Sequence, residues 1–139
     1  MKSAQELITA RLATLEKIKR LCEKKKQECY EDTINFCEEY INVILDAEAK
    51  RATMKNSIEV KILFATVQDK FENNYIRFLE PYENRPFCRF ESGPMFDKKV
   101  MEVYLRKHHF KTKWEKATYF TYYGLNEDAI CLTISVKIP

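Results

Sequence analysis

The chain has only two glycines, Gly93 and Gly124, in 139 residues. A glycine-rich phosphate cradle or a nucleophile elbow needs backbone that turns tightly and approaches a ligand closely, and neither can be built from two isolated glycines. No run of about 18 apolar residues is present to cross a membrane as a helix. The five cysteines are odd in number and irregularly spaced, which suggests reduced thiols rather than a disulfide framework. Cys22, Cys29 and Cys37 would lie about 10 to 12 Å apart on one helix, too far to share a metal bound at about 2.3 Å. His108 and His109 are adjacent and do not share a helical face, so no metal and no cofactor is expected. The net charge of +3 does not by itself imply nucleic acid. The N-terminus enters a charged segment with no apolar signal region, and the expected location is cytoplasmic.

A further absence organises the chain: from Ser3 to Lys50 there is neither glycine nor proline. Ser3-Ala4-Gln5-Glu6 has the form of a capping box, in which the Ser3 hydroxyl accepts from the Glu6 amide. Ile8, Leu12, Leu15, Ile18 and Cys22 then recur at steps of three and four, and Tyr30, Ile34, Cys37, Ile41 and Ile44 do the same. An unbroken helix over this stretch is roughly 70 Å long, against a body about 25 to 30 Å across. It either folds back as a hairpin near Lys24 to Asp32, or its exposed seam meets a second copy.

Charge separates these alternatives. Lys17, Lys19, Arg20, Lys24, Lys25 and Lys26 make one half basic, while Glu28 to Glu48 carries seven acids and no Lys or Arg. An antiparallel partner centred near Gln27 lays each basic half along an acidic one. An intramolecular hairpin satisfies the same charges but has no turn residue at Lys25-Lys26-Gln27-Glu28. The expectation is an antiparallel homodimer with Leu15, Cys22, Tyr30, Ile34, Cys37, Ile41 and Ile44 in the seam, and the hairpin stands as the alternative.

Beyond a helical region 1–54, residues 55–139 read as an α+β domain. Ile58 to Phe64 and Tyr75 to Leu79 alternate as strands. Glu80 to Pro94 contains three prolines and reads as an irregular loop. A second helix is expected from Met95 or Phe96, with Phe96, Val100, Val103 and Tyr104 as its apolar stripe. It ends near His108-His109, with His109 in the left-handed conformation usual for glycine. Phe110 to Tyr123 and Ala129 to Ile138 form a hairpin around Gly124 to Asp128. The expected architecture is a long N-terminal helix and an antiparallel sheet of three or four strands with one helix packed on it.

For catalysis the residues offer one arrangement, Cys88 with His108 or His109 as its base, and a cysteine in an aromatic run is more often buried. No enzyme is expected. For binding, Lys98, Lys99, Arg106, Lys107, Lys111, Lys113 and Lys116 precede Tyr119 and Tyr122, a basic helix end feeding an aromatic hairpin. Such a segment grips phosphates and stacks bases, or docks on an acidic protein groove; equally, these are ordinary solvated lysines and strand-forming aromatics.

Val100 to Lys111, VMEVYLRKHHFK, followed by an aromatic strand and Leu132-Thr133-Ile134-Ser135, resembles the ending of many small phage proteins, as does the lysine-rich N-terminal helix. The resemblance covers about a third of the chain and departs at His109, where glycine is usual, and in the loop from Glu80 to Pro94. It implies a non-enzymatic interaction protein in a bacterial host cell, with inhibition of a defence nuclease in the manner of anti-CRISPR proteins as the specific expectation. Direct nucleic-acid binding and a role as a virion component are the alternatives.

Overall fold

The computed structural model describes residues 1–67, 75–81, 88–90, 93–120 and 126–139. Ser3 caps the first helix as its sequence requires, its Oγ accepting from the Glu6 amide at 3.2 Å. Helix α1 (Ala4–Phe36) continues through a π-helical turn, Cys37–Ile41, into α2 (Asn42–Ala49) without a break. The helical hairpin is therefore replaced by one continuous helix.

The π-turn has a physical purpose. At 100° per residue Cys29 and Leu45 of an unbroken α-helix would point about 160° apart. The wider turn, closed by the Asn42 amide on the Cys37 carbonyl, sets the rotation back by about one residue. Cys29, Thr33, Cys37, Ile41 and Leu45 are all buried as a result.

The strands are β1 (Ser57–Val67), β2 (Tyr75–Pro81), β3 (Cys88–Phe90), β4 (Phe96–Asp97), β5 (Lys111–Phe120) and β6 (Asn126–Lys137). They form one antiparallel sheet in the order β3-β2-β1-β6-β5, with the short β4 also on β2. The sheet is wider than the three or four strands expected, because Cys88–Phe90, inside the proline-rich stretch, and Phe96–Asp97, just after it, both pair with β2. The turn between β5 and β6, most of the stretch from Thr66 to Asn74 and most of the loop from Glu80 to Pro94 lie outside the described residues.

Register explains the core. Ile62 pairs with Leu132, Phe64 with Ile130 and with Phe78, and Trp114 with Leu132, so one face of the sheet is apolar across four strands. On it sit Cys37, Ile41 and Leu45 from the long helix and Met101 and Leu105 from α3 (Lys98–Lys107). Each such aliphatic side chain contributes about 1.5–3 kcal/mol on burial. Phe36 stacks on Phe96 at 4.4 Å and on Tyr40 at 5.0 Å, joining helix to sheet at the centre. From Cys29 onward the helix thus belongs to the same core as the strands.

Helix α3 starts at Lys98 rather than at Met95 or Phe96, since Phe96 and Asp97 pair with Ile76 and Tyr75. Asp97 is the stronger cap: its Oδ1 accepts from the Lys99 and Val100 amides at 3.0 and 3.2 Å. At the other end His109 has φ 66°, the left-handed conformation expected. The Phe110 amide donates to the Leu105 carbonyl and the His109 amide to that of Arg106, a Schellman closure without glycine.

Candidate functional site

The two halves of the long helix meet different surroundings. Every residue from Met1 to Leu21 is exposed, and the body is first met at Cys22 and Lys25, whose Nζ lies 5.6 Å over the Tyr75 ring. Ala4 to Leu21 therefore project as an arm about 27 Å long. The arm is not uniformly polar. Leu7, Ile8, Leu12, Leu15, Ile18 and Leu21 are between 41% and 66% exposed.

These side chains are not scattered around the arm. At 100° per residue Ile8, Leu12, Leu15, Ile18 and Cys22 fall within an arc of about 120°, flanked on one side by Leu7 and Leu21. The same arc contains Cys29, Thr33 and Phe36, which lie against the body. A single largely apolar stripe is thus covered by the sheet over one half and left open over the other, where Arg11 and Lys19 fall within its arc. Folded proteins seldom leave a long, largely apolar helix face open to water.

Not all of the expected dimer seam lies on this open surface. Leu15 is exposed and Cys22 half-buried, but Cys37 and Ile41 are only 2% and 1% exposed, inside the protein's own core. Ile44 packs against that core. The seam through these residues is corrected: the π-turn rotates them onto the sheet, so a pair centred near Gln27 would find Cys37, Ile41 and Ile44 already covered by the protein's own core. Tyr30 and Ile34 instead line a groove of about 500 Å³ between α1 and α3, with Val100, Val103, Tyr104 and Lys99 and Lys107 at its sides.

The basic residues do not converge on one surface. Lys98 places its Nζ 4.9 Å over the Trp114 ring, Lys99 and Lys107 edge the groove, and Arg106 pairs with Glu102 at 3.2 Å. Lys111 and Lys113 stand on the opposite face of the sheet, Lys113 with Glu115 at 2.7 Å, among Glu59, Lys61, Thr133 and Ser135. Lys113 holds the Glu115 carboxyl below its ordinary range. Lys116 is exposed on the other face of β5. Tyr119 is buried with Ala65, Leu79 and Ala129, so its ring is not open to stack a base. Tyr122 lies outside the described residues.

Topology separates the one catalytic pair considered. Cys88 is in β3 at one edge of the sheet, and His109 leads into β5 at the other, four strand spacings or about 19 Å away. His108 has its Nδ1 2.9 Å from the Tyr104 carbonyl oxygen and its ring stacked on Tyr104 at 4.4 Å. Burial pushes the Cys37 thiol up to about 12 and raises that of Cys29, which keeps both protonated and unreactive near neutrality.

Sequence reasoning missed Thr33. It is fully buried, its hydroxyl donates to the Cys29 carbonyl at 2.6 Å and accepts from the Asp97 amide at 2.9 Å, and so it ties the long helix to the start of α3. Its signal was a lone hydroxyl on the apolar face between Cys29 and Phe36. Among the described residues no helix is long and apolar enough to cross a membrane. No protein-family profile, curated protein or solved structure matches this chain.

Proposed function

We propose that the chain is a protein-interaction module whose working surface is the open apolar stripe of the projecting arm. The observation that carries this is the contrast within one helix: a stripe buried from Cys29 onward runs on, with its side chains half exposed, through Cys22 to Ile8. The arm is anchored by the seated half, so it extends an existing helix and avoids the nucleation cost that makes short isolated helices marginal. In the form suggested by the phage resemblance, the surface it meets belongs to a host defence nuclease; in the virion form, to a neighbouring subunit. Both use the same stripe. Direct nucleic-acid binding has less support, since the lysines and arginine divide between two faces and several are already engaged by Glu102, Glu115 and Trp114.

The test is a photo-crosslinking side chain placed in the full-length protein at Leu12, on the stripe, or at Arg20, on the far side of the arm, and activated in cells. The expected result is a discrete protein adduct from Leu12 and none from Arg20. Adducts of equal yield from both sides, or none from either, would overturn the reading.

A further inference from the structure

We infer that the occupant of the stripe is a second copy of this chain, with the two arms antiparallel and the two-fold axis close to Leu15. This rests on the reading of the stripe as the binding surface and names its partner. Three observations lead to it.

The first is the spacing. Ile8, Leu12, Leu15, Ile18 and Cys22 are separated by steps of 4, 3, 3 and 4, which read the same in either direction about Leu15. A two-fold interface must be self-complementary, with residue i meeting j while j meets i. Antiparallel arms related by an axis at Leu15 bring Leu15 to its own counterpart, Leu12 to Ile18 and Ile8 to Cys22, so each of these five residues finds an apolar one.

The second is the room available. The stripe faces the side on which the body sits, beginning at Cys22 and Lys25. A parallel partner helix laid on the stripe would continue into the space held by the sheet. An antiparallel arm ends sooner: in this register the second copy's Ile8 comes level with Cys22, where the body begins, and its helix stops little more than a turn further on, at Ser3. Each arm therefore fills the open stretch of the other and stops at its body.

The third is area. Ile8, Leu12, Leu15 and Ile18 of each copy, all half exposed, come together with Leu7 at the edge, an interface at the small end of the range for specific pairs. Electrostatics adds no attraction: Glu6 and Lys24 come level but lie on the far side of each helix from the stripe. Each arm from Met1 to Cys22 carries five basic residues against two acidic ones, and Arg11 faces Lys19 of the second copy. The arms repel at long range, so salt strengthens this pairing, the reverse of its effect on a nucleic-acid complex.

The register is tested with cysteines in the full-length protein under oxidised glutathione. Leu15 is exposed, so Leu15→Cys leaves the core untouched. The expected result is a covalent dimer of Leu15→Cys, a covalent dimer of Ile8→Cys through Cys22 of the second copy, and none of Ile8→Cys/Cys22→Ser. A covalent dimer of the last variant would show parallel arms and overturn the register. A Leu15→Cys protein that stays at one chain mass overturns the second copy as occupant. If the Leu12 photo-crosslinker still gives an adduct to a different protein, the stripe remains the binding surface; if it gives none, both readings fail together.

Discussion

The seated and projecting halves of the long helix have the same kind of apolar face and opposite fates. In the seated half Cys37, Ile41 and Leu45 lie in the core, with Phe36 packed between the helix and the sheet. In the projecting half Ile8, Leu12, Leu15 and Ile18 face solvent. What differs is whether the rest of the chain supplies a surface within reach, and the sheet is too small to follow a helix of about 70 Å. Periodicity establishes that a helix face seeks apolar contact. It does not say whose surface provides it.

Substitutions sharpen the contrast, and the monomeric background expected of Leu15→Glu separates folding from association. There, Ile41→Ala removes a fully packed side chain and is expected to lower unfolding free energy by about 2–5 kcal/mol, while Leu12→Ala changes it by no more than about 0.5 kcal/mol. Urea midpoints of the two variants check this; equal losses would mean that the arm is not open.

The seated half should also make the fold sensitive to alkali. The Cys37 thiol titrates near 9 when unfolded but is pushed up to about 12 by burial. Between those values the unfolded chain sheds a proton that the folded one keeps, so the contribution of this thiol to stability is constant below pH 9 and is lost as pH rises toward 12. The expected fall from this group is roughly 2–4 kcal/mol, and Cys37→Ala makes the profile shallower in urea titrations repeated across that range.

Thr33→Val keeps the shape but leaves the Asp97 amide without its acceptor, for an expected loss of about 1–3 kcal/mol by chemical denaturation. At the end of α3, His109→Gly removes the strain of a side chain at positive φ and is expected to raise stability by about 1 kcal/mol, read as an increase in melting temperature. Smallest of all, Arg20→Ala on the polar side of the arm breaks only the exposed pair with Glu16 at 3.3 Å and should shift the melting curve by no more than about 0.5 kcal/mol.

Much of the fold was legible locally. The Ser3 cap, the two helices, the alternation of Ile130, Leu132 and Ile134 and the positive φ at His109 each follow from short-range chemistry. What escaped depended on distant contacts. The π-turn at Cys37–Ile41 has no composition of its own and makes sense only once the sheet demands that face. Without the sheet, Cys37 and Ile41 simply continue the periodic seam and point to a second chain. Thr33 offers only a lone hydroxyl on an apolar face, because its acceptor role is toward Asp97, 64 residues away. The basic run from Lys98 to Lys116 is continuous in sequence, but the strand alternation of β5 sends Lys113 and Lys116 to opposite faces and buries Tyr119. The arm itself was legible in part: its stripe and excessive length were plain, whereas its free extent, from Ala4 to about Leu21, required knowing where the body begins.

The most direct measurement is the absolute mass of the full-length protein by light scattering across a concentration series, beside Leu15→Glu. The account predicts twice 16.6 kDa for the unaltered chain and 16.6 kDa for Leu15→Glu, with unchanged helix content in both. A mass of 16.6 kDa for the unaltered chain at every concentration, or a Leu15→Glu protein that remains a dimer, would contradict it.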